Sequence, residues 1–332
     1  MACTVSSCCS GSDDGKRVEV KAPKQIPSDS LQNPSDPDAS YSGHKGQGYQ
    51  VQVMETYTDT NDAEEKAQTL NLITHVDVER AHESDANALI PAIESAQKAD
   101  LGPQALLADS LYGSDENIET AKDKGVNVLS PPMGSEKKDQ LGLSDFHLEK
   151  SGKVVSCPEG HAPTSTTRKK TRHCAAFDRA HCIDCPNQSI CPAKTGKKAF
   201  YLRFTDKQLR IALRRSAVDT DEFKARYRWR AGVEATMSEF DRRTGVKRLR
   251  VRGLKAVRFS AVVKALGLNI LRAAVVMAAM IARASANTNQ RGGYCAGFDD
   301  FKEQFWAAVA YIARLIVNSL IYTIICPKRR FG

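Results

Sequence analysis

Residues 219–253 read DTDEFKARYRWRAGVEATMSEFDRRTGVKRLRVRG, a basic stretch built around one glutamate, Glu234. The stretch predicts a helix, because Asp219 and Glu222 form a capping box and Gly245 supplies a stop. At about 100° per residue, one helical face would present a phenol, a guanidinium and two carboxylates: Tyr227, Arg230, Glu234 and Asp241. An amphipathic surface helix with solvated ion pairs is the alternative interpretation of these residues.

The charge of the chain is strongly uneven. The formal net charge is +9, yet residues 197–272 contain 21 Lys and Arg against 7 Asp and Glu, a local excess of 14 positive charges. Such a block suits a polyanion, because Lys and Arg contacts to phosphate supply most non-specific affinity for DNA; a merely solvated basic face is the alternative. The residues expected to contact DNA follow Glu234: Arg242, Arg243, Lys247, Arg248, Arg250 and Arg252.

The first half of the chain predicts an α/β protein. Residues 1–47 are rich in Ser, Asp, Pro and Gly and mostly irregular, with a short strand expected at residues 17–22. Tyr49, Val51 and Val53 alternate with other residues, which predicts a strand over residues 48–57 with one buried face. An acidic hairpin loop and further elements then follow in the order strand 70–78, helix 84–99, strand 105–109, helix 114–124 and strand 126–130.

Asp109 is the second candidate site residue. It ends the short apolar strand of residues 105–109, and the carboxyl ends of strands in α/β sheets border the crevice where ligands bind. A turn or helix-capping aspartate is the alternative for Asp109. Asp115 and Glu116 are better interpreted as residues of a first helical turn, which favours negative charge.

Residues 157–191 predict a zinc site. Cys182 and Cys185 have the two-residue separation typical of a zinc knuckle, and Cys157 with Cys191 would complete a tetrahedral Cys₄ set. The residues that could replace one of these ligands are His161, His173, His181 and Cys174. The first twenty residues lack an apolar signal-peptide core, and in an intracellular protein metal ligation or free thiols are more common than disulfides.

The spacing of Tyr227, Arg230 and Glu234 resembles the signature around the last catalytic acid of DDE transposases from bacterial insertion sequences, of the insertion-sequence 4/5-like kind. Asp241 occupies the place of a lysine that closes this signature in the family. The segment around Asp109 resembles the family's second catalytic acid. The resemblance covers about residues 29–272 and implies a ribonuclease H-like mixed sheet with flanking helices, a Cys-rich insertion and a C-terminal helical segment.

The resemblance also implies a metal-dependent reaction on double-stranded DNA. Two Mg²⁺ or Mn²⁺ ions about 4 Å apart would be held by carboxylates, with Asp109 and Glu234 as ligands and Tyr227 and Arg230 supporting them. The partners implied are transposon ends, target DNA and further copies of the chain in a synaptic complex, in the bacterial cytoplasm near the nucleoid. The family's first acid has no good match; Asp13 and Asp14 are weak candidates, which is expected of a truncated or frame-disrupted member.

Five segments are therefore expected: an irregular segment (1–47), the first part of the catalytic core (48–150), the Cys-rich insertion (151–200), the helical and basic part of the core (201–284) and a linker with an apolar helix (285–332). Residues 305–326 are long enough to span a bilayer, but Arg314 and Asn318 in their middle favour a soluble helix, or a frameshift-derived tail packed on the core, over a membrane anchor. Three functions remain open: a DNA-cutting transposase, a catalytically dead DNA-binding remnant, and a zinc-stabilised interaction protein without DNA.

Overall fold

The structure is a computed structural model, and it describes residues 9–11, 18–22, 25–136 and 139–288. The chain divides into two compact units. The first unit combines Met1–Pro103 with Ala231–Gly332, and the second is Gln104–Arg230.

The strands, in chain order, are β1 (Cys9–Gly11), β2 (Val18–Val20), β3 (Ser40–Ser42), β4 (Gly46–Glu55), β5 (Ile73–Arg80), β6 (Ala105–Leu107), β7 (Asn127–Leu129), β8 (His147–Leu148), β9 (Val154–Ser156), β10 (Ser165–Lys169), β11 (Arg172–Asp178), β12 (Lys194–Thr195) and β13 (Ala199–Thr205). The helices are α1 (Ala63–Gln68), α2 (Leu89–Lys98), α3 (Asp115–Asp123), α4 (Arg179–Ile183), α5 (Asp206–Val218), α6 (Asp221–Tyr227), α7 (Ala231–Thr244) and α8 (Leu254–Thr288).

The first unit is built on the antiparallel sheet β3-β4-β5, with β4 in the middle. Val51 pairs with Val78 and Val53 with Val76, so the predicted strand is confirmed; the prediction of a single buried face is wrong, because Gln50 and Met54 of the opposite face are buried as well. Tyr49, Val51 and Val53 pack against a core to which the sheet and helices α7 and α8 contribute: Ile73, Val78, Phe240, Val246, Val257, Ala261, Ala265 and Leu268. Burial of this apolar face holds α8 on the sheet.

Polar contacts between residues distant in sequence fix the two ends of this packing. The buried side chain of Asn269, on α8, accepts from the backbone N–H of Ile73 at 2.9 Å and donates to the carbonyl of the same residue at 2.8 Å. At the start of α8, Asp36 and Asp38 accept from the N–H groups of Gly253 and Leu254 at 3.1 and 3.0 Å. These aspartates therefore satisfy backbone donors that the first helical turn leaves without partners.

The second unit contains the antiparallel sheet β10-β11-β13-β12 and the parallel pair β6-β7. Its core gathers apolar residues from β9, β11, β13 and α5 and from the segments before β8 and β12: Phe146, Val154, Ala175, Phe177, Ala193, Phe200, Leu202, Phe204 and Leu209. On α5, Arg210 donates to both carboxylate oxygens of Asp115, at 3.1 and 2.5 Å, and so ties α5 to the first turn of α3.

The predicted single helix from Asp219 is wrong. Asp219 is the C-cap of α5, and Thr220 caps α6 by accepting from the N–H of Phe223 at 3.3 Å. The Thr220 hydroxyl also donates to the carbonyl of Ala217 at 2.7 Å, so one residue closes a helix and opens the next. A 3₁₀ turn, Arg228–Arg230, then separates α6 from α7.

The break lies among the four side chains that were predicted to share one face. Tyr227 and Arg230 belong to the second unit, whereas Glu234 and Asp241 belong to the first. Their shared face therefore stays a prediction. The predicted stop is confirmed, since α7 ends at Thr244 and Gly245 has a φ of +62°.

The predicted order of elements from the first strand to the fourth is confirmed by β4, β5, α2, β6, α3 and β7. In the described residues these strands belong to small separate sheets. The loop predicted between the first two strands contains α1, which Asp62 caps through two backbone N–H groups. The possible strand at residues 17–22 is confirmed by β2.

The apolar helix predicted at residues 257–284 is longer at both ends, since α8 runs from Leu254 to Thr288 and includes the first residues of the predicted linker. Its stretch Leu254–Met280 has a mean hydropathy of 1.7 and is long enough to cross a membrane, but a core helix of a soluble protein meets the same criteria. Asp13, Asp14 and residues 305–326 lie outside the described residues.

Candidate active site and nucleic-acid interface

Asp109 lies where the sequence placed it, directly after the short parallel strand β6. It is exposed, and its Oδ1 accepts from the N–H of Ser110 at 2.6 Å, which makes it the N-cap of the 3₁₀ turn Ser110–Tyr112. Its carbonyl accepts from the Ser130 hydroxyl at 2.7 Å, just beyond the end of the paired strand β7. The carboxylate is thus held at the carboxyl edge of a parallel pair, where it is accessible to a ligand.

Asp115, six residues later, has a different environment. Its side chain is 5% exposed and engages Arg210 through both oxygens, so the positive guanidinium compensates for its burial. The interpretation of Asp115 as a first-turn residue is confirmed. Because Arg210 engages both of its oxygens, Asp115 has a structural role. Asp109, by contrast, is accessible to a ligand at this edge.

Glu234 is an exposed residue in the first turn of α7, in the first unit. The two residues predicted to support it, Tyr227 and Arg230, belong to the second unit, where the Arg230 guanidinium lies 5.6 Å from the centre of the Tyr227 ring. Asp109 is also in the second unit. The convergence of Asp109 and Glu234 on one metal site therefore stays a prediction.

The predicted DNA-binding residues are all exposed. Arg243 donates to Glu239 at 2.9 Å, and Lys247 lies 3.5 Å from Asp241, the residue at the family's lysine position. Within the described residues, the other four form no ion pair: Arg242, Arg248, Arg250 and Arg252. Three of these four lie in the segment between α7 and α8, which has no regular secondary structure and leaves their guanidinium groups exposed to a polyanion.

Sequence reasoning missed a buried carboxylate network in the first unit. Glu55 ends β4, and its side chain is 6% exposed. It accepts from the Thr236 hydroxyl of α7 at 2.5 Å and from Arg272 of α8 at 3.2 Å. Arg272 also donates to Glu239 at 2.9 Å, so one guanidinium neutralises two carboxylates. The sequence signal was the alternation of β4, because Glu55 continues the buried face of Tyr49, Val51 and Val53.

Burial and charge act in opposite directions on these two carboxylates. Burial raises the pKa of Glu55 above its usual value, although hydrogen bonds from Thr236 and Arg272 oppose the rise. Burial also acts to raise the pKa of Glu239, but hydrogen bonds and charges from Arg272 and Arg243 outweigh it and hold that pKa below its usual value. Burial therefore prevails over the arginine at Glu55, and the arginines prevail over burial at Glu239.

The four predicted zinc ligands are neighbours in the second unit. Cys157, Cys182 and Cys191 pack against its apolar core. Burial raises the pKa of Cys182, and the nearby thiols of Cys191, Cys157 and Cys185 raise it further. No group of three or more His, Cys, Asp or Glu side chains in the described residues is already arranged to hold a metal ion.

Residues 156–274 match a family model described as Transposase DDE domain. The match covers less than half of the chain; it contains Glu234, the basic segment and the four cysteines, and it stops short of Asp109. Among curated proteins and among solved structures, none matches this chain. The family match supports a DDE transposase, a class of protein that acts in DNA transposition.

Proposed function

We propose that this chain is a transposase of the insertion-sequence 4/5-like kind that binds the DNA ends of its element. The observation that carries the proposal is the family match over residues 156–274, which contains both Glu234 of the Tyr-Arg-Glu signature and the exposed basic segment. The order of strands and helices from β4 to β7 supports a ribonuclease H-like core. The same match favours a soluble cytoplasmic protein, with further copies of the chain as partners at paired ends.

The chemistry assigned to this transposase is cleavage and joining of DNA with Mg²⁺ or Mn²⁺. Asp109 and Glu234 are exposed carboxylates, the hard oxygen donors that these ions prefer, and they would hold the metal. Bound metal would supply activation of the attacking oxygen and stabilisation of the charge that develops on phosphate. The chain's own contribution is to present these two carboxylates and to bind the DNA backbone through its arginines.

A second candidate function is a DNA-binding remnant that does not cut, and one observation favours it. The family's chemistry requires a third acid on a first strand upstream of β4, where the sequence offers only Asp13 and Asp14, both outside the described residues. Glu55, which ends β4, is a described acid that could take its place, but its carboxylate is already engaged by Thr236 and by the guanidinium of Arg272, which compete with a metal ion for the same oxygens. Binding to DNA would then survive while cleavage fails.

The binding proposal is tested by measuring affinity for labelled duplex DNA over a range of salt concentrations. Each phosphate neutralised contributes about 0.9 to the slope of log affinity against log salt. Replacing Arg248, Arg250 and Arg252 with Ala should therefore lower the slope by up to about 2.7 and weaken binding at every salt concentration.

The matched control removes three exposed lysines elsewhere in the chain, Lys98, Lys122 and Lys150, and should leave the slope within about 0.5 of the unmodified value. Equal effects of the two triple variants would mean that binding follows net charge and that the segment between α7 and α8 is not the interface. No binding by the unmodified chain would reject both candidate functions.

Cleavage is tested on transposon-end duplexes with Mg²⁺ or Mn²⁺, using Asp109→Asn and Glu234→Gln as variants. Cleavage that both substitutions abolish would support the transposase assignment and exclude the remnant. Binding without cleavage, at protein concentrations that saturate the DNA, would support the remnant.

A further inference from the structure

The region around the four cysteines of the second unit has a feature that their spacing alone does not reveal. Two Cys-Pro turns resemble each other: the N–H of Gly160 donates to the carbonyl of Cys157 at 2.9 Å, and the N–H of Gln188 donates to the carbonyl of Cys185 at 3.0 Å. Each turn therefore has a cysteine in its first position and proline in its second, a position that favours proline.

The two turns are also joined to each other. Glu159 and Asn187 hold the third positions of their turns, and the Asn187 amide donates to the Glu159 carboxylate at 2.6 Å. The turns of Cys157 and Cys185 are thus joined, 28 residues apart, by a contact that does not involve their sulfur atoms.

The sheet separates the fifth cysteine of this region from the other four. Along β11, His173, Ala175 and Phe177 face the apolar core, and Cys174 alternates with them. Because successive side chains of a strand point to opposite faces, Cys174 lies on the face away from the core. Cys157, Cys182 and Cys191 pack against that core, so Cys174 is excluded from their set.

We propose that Cys157, Cys182, Cys185 and Cys191 bind one structural Zn²⁺ ion per chain. Four thiolates suit this ion and give the closed tetrahedral set of a structural site, with Cys182 and Cys185 in the two-residue spacing of a knuckle. Because no three of these side chains are already in metal-binding geometry, binding draws the sulfurs together by rotation of the side chains within the cluster.

The ion would stabilise two loops rather than create the core of the second unit. The buried residues Phe177, Phe200 and Leu202 give the second unit an apolar core of its own. Residues 157–161 and 182–191, by contrast, consist mostly of turns and a short helix with exposed side chains. Binding energy at such a site is folding energy for the loops that supply the ligands.

Two histidines near the cysteines, His161 and His181, could in principle replace one of the four ligands. His161 and His181 stack with their ring centres 4.3 Å apart, beside the cysteine cluster in sequence. Stacked parallel rings direct their nitrogen atoms outward along the ring planes rather than towards a common point. The proposal therefore assigns neither histidine as a ligand, and their replacement becomes a control.

The experiment uses the full chain, purified under reducing conditions and analysed for bound metal. About one equivalent of zinc is expected in the unmodified chain and in Cys174→Ser, His161→Ala and His181→Ala. Loss of at least 80% of the metal is expected in Cys182→Ser and Cys185→Ser. Cobalt in place of zinc should give the visible absorption bands of a tetrahedral thiolate site in the unmodified chain.

Removal of metal from the unmodified chain by a chelator keeps the proposal testable if a variant fails to fold. Hydrogen exchange should then rise at least tenfold in residues 157–161 and 182–191 and stay within twofold in β11 and β13. The proposal is overturned if the unmodified chain holds no metal, if Cys174→Ser or a histidine variant loses it, or if the chelator changes exchange equally throughout the second unit.

Discussion

Replacing Arg272 with Met should destabilise the first unit strongly at neutral pH and less at acidic pH. The Arg272 side chain is 15% exposed and pairs with Glu55, which is 6% exposed. Removing one partner of a buried ion pair leaves an uncompensated charge and typically costs about 3–5 kcal/mol. Methionine preserves most of the apolar stem, so the loss reports chiefly the missing guanidinium.

The pH dependence follows from the pKa of Glu55. Burial already raises that pKa, and removing Arg272 removes a group that opposes the rise. A carboxyl whose folded pKa exceeds its unfolded pKa, about 4.3 for Glu, contributes stability that is complete below the unfolded value and lost as pH rises through the folded value. The deficit of Arg272→Met should therefore be largest near pH 7.5 and shrink as pH falls towards 5.

The assay is urea unfolding monitored by hydrogen exchange in peptides from β4 and β5. These peptides report the unfolding of the first unit separately from that of the second. Arg243→Met is the matched control, because Arg243 pairs with the same Glu239 at 2.9 Å but is 46% exposed; it should cost less than about 0.5 kcal/mol. The double variant Glu55→Gln/Arg272→Met should be at least about 1 kcal/mol more stable than Arg272→Met. A pH-independent deficit, or one equal to that of Arg243→Met, would refute the reasoning.

Two further predictions concern the second unit, and one concerns cleavage. In urea unfolding, Asp115→Ala should destabilise the second unit by about 3 kcal/mol, because Arg210 loses its buried partner. The control Glu119→Ala removes an exposed carboxylate 3.7 Å from the same arginine and should cost less than about 0.5 kcal/mol. A hydrogen bond with His173 holds the pKa of Asp206 below its usual value, so the ionised carboxylate stabilises the fold above the unfolded pKa, about 3.9, and this stabilisation is lost as pH falls through the folded pKa. Asp206→Asn should therefore make the free energy of unfolding depend less on pH in that acidic range. An unchanged pH dependence would contradict this prediction. If the unmodified chain cleaves DNA, Glu55→Gln should abolish cleavage while DNA affinity stays within about twofold; full activity of that variant would place the third acid elsewhere.

Local rules predicted the elements whose signals are local. The alternation at Tyr49, Val51 and Val53 predicted the strand and the face that packs on the core, and Gly245 predicted the end of α7 because a positive φ suits glycine. The prediction of a single helix from Asp219 was wrong for a reason that the sequence contains. Thr220 can bond both backward to Ala217 and forward to Phe223, so the chain closes one helix and starts another where a single helix was expected.

Contacts between distant residues were not predictable in the same way. Asp36 and Asp38 lie in a segment whose composition indicates irregular structure, yet they cap a helix more than 200 residues later. Nothing in the spacing of either segment points to the other. The position of Glu55 on the same face of β4 as Tyr49, Val51 and Val53 could have indicated a buried acid. Its partner Arg272 could be identified only once α8 had been placed against the sheet.

In each unit, an arginine from a packed helix neutralises the charge of a buried carboxylate. This pairing affects which carboxylates can bind a metal ion. Glu55 is engaged by Arg272 and Asp115 by Arg210, so an entering cation would have to displace a guanidinium in either case. Asp109 and Glu234 are both exposed. An acid's place at a strand end is therefore insufficient to identify a ligand in this chain, because Glu55 and Asp109 share that place and differ in their partners. If Glu55 took the place of the missing first acid, a metal ion would have to compete with Arg272 for its oxygens.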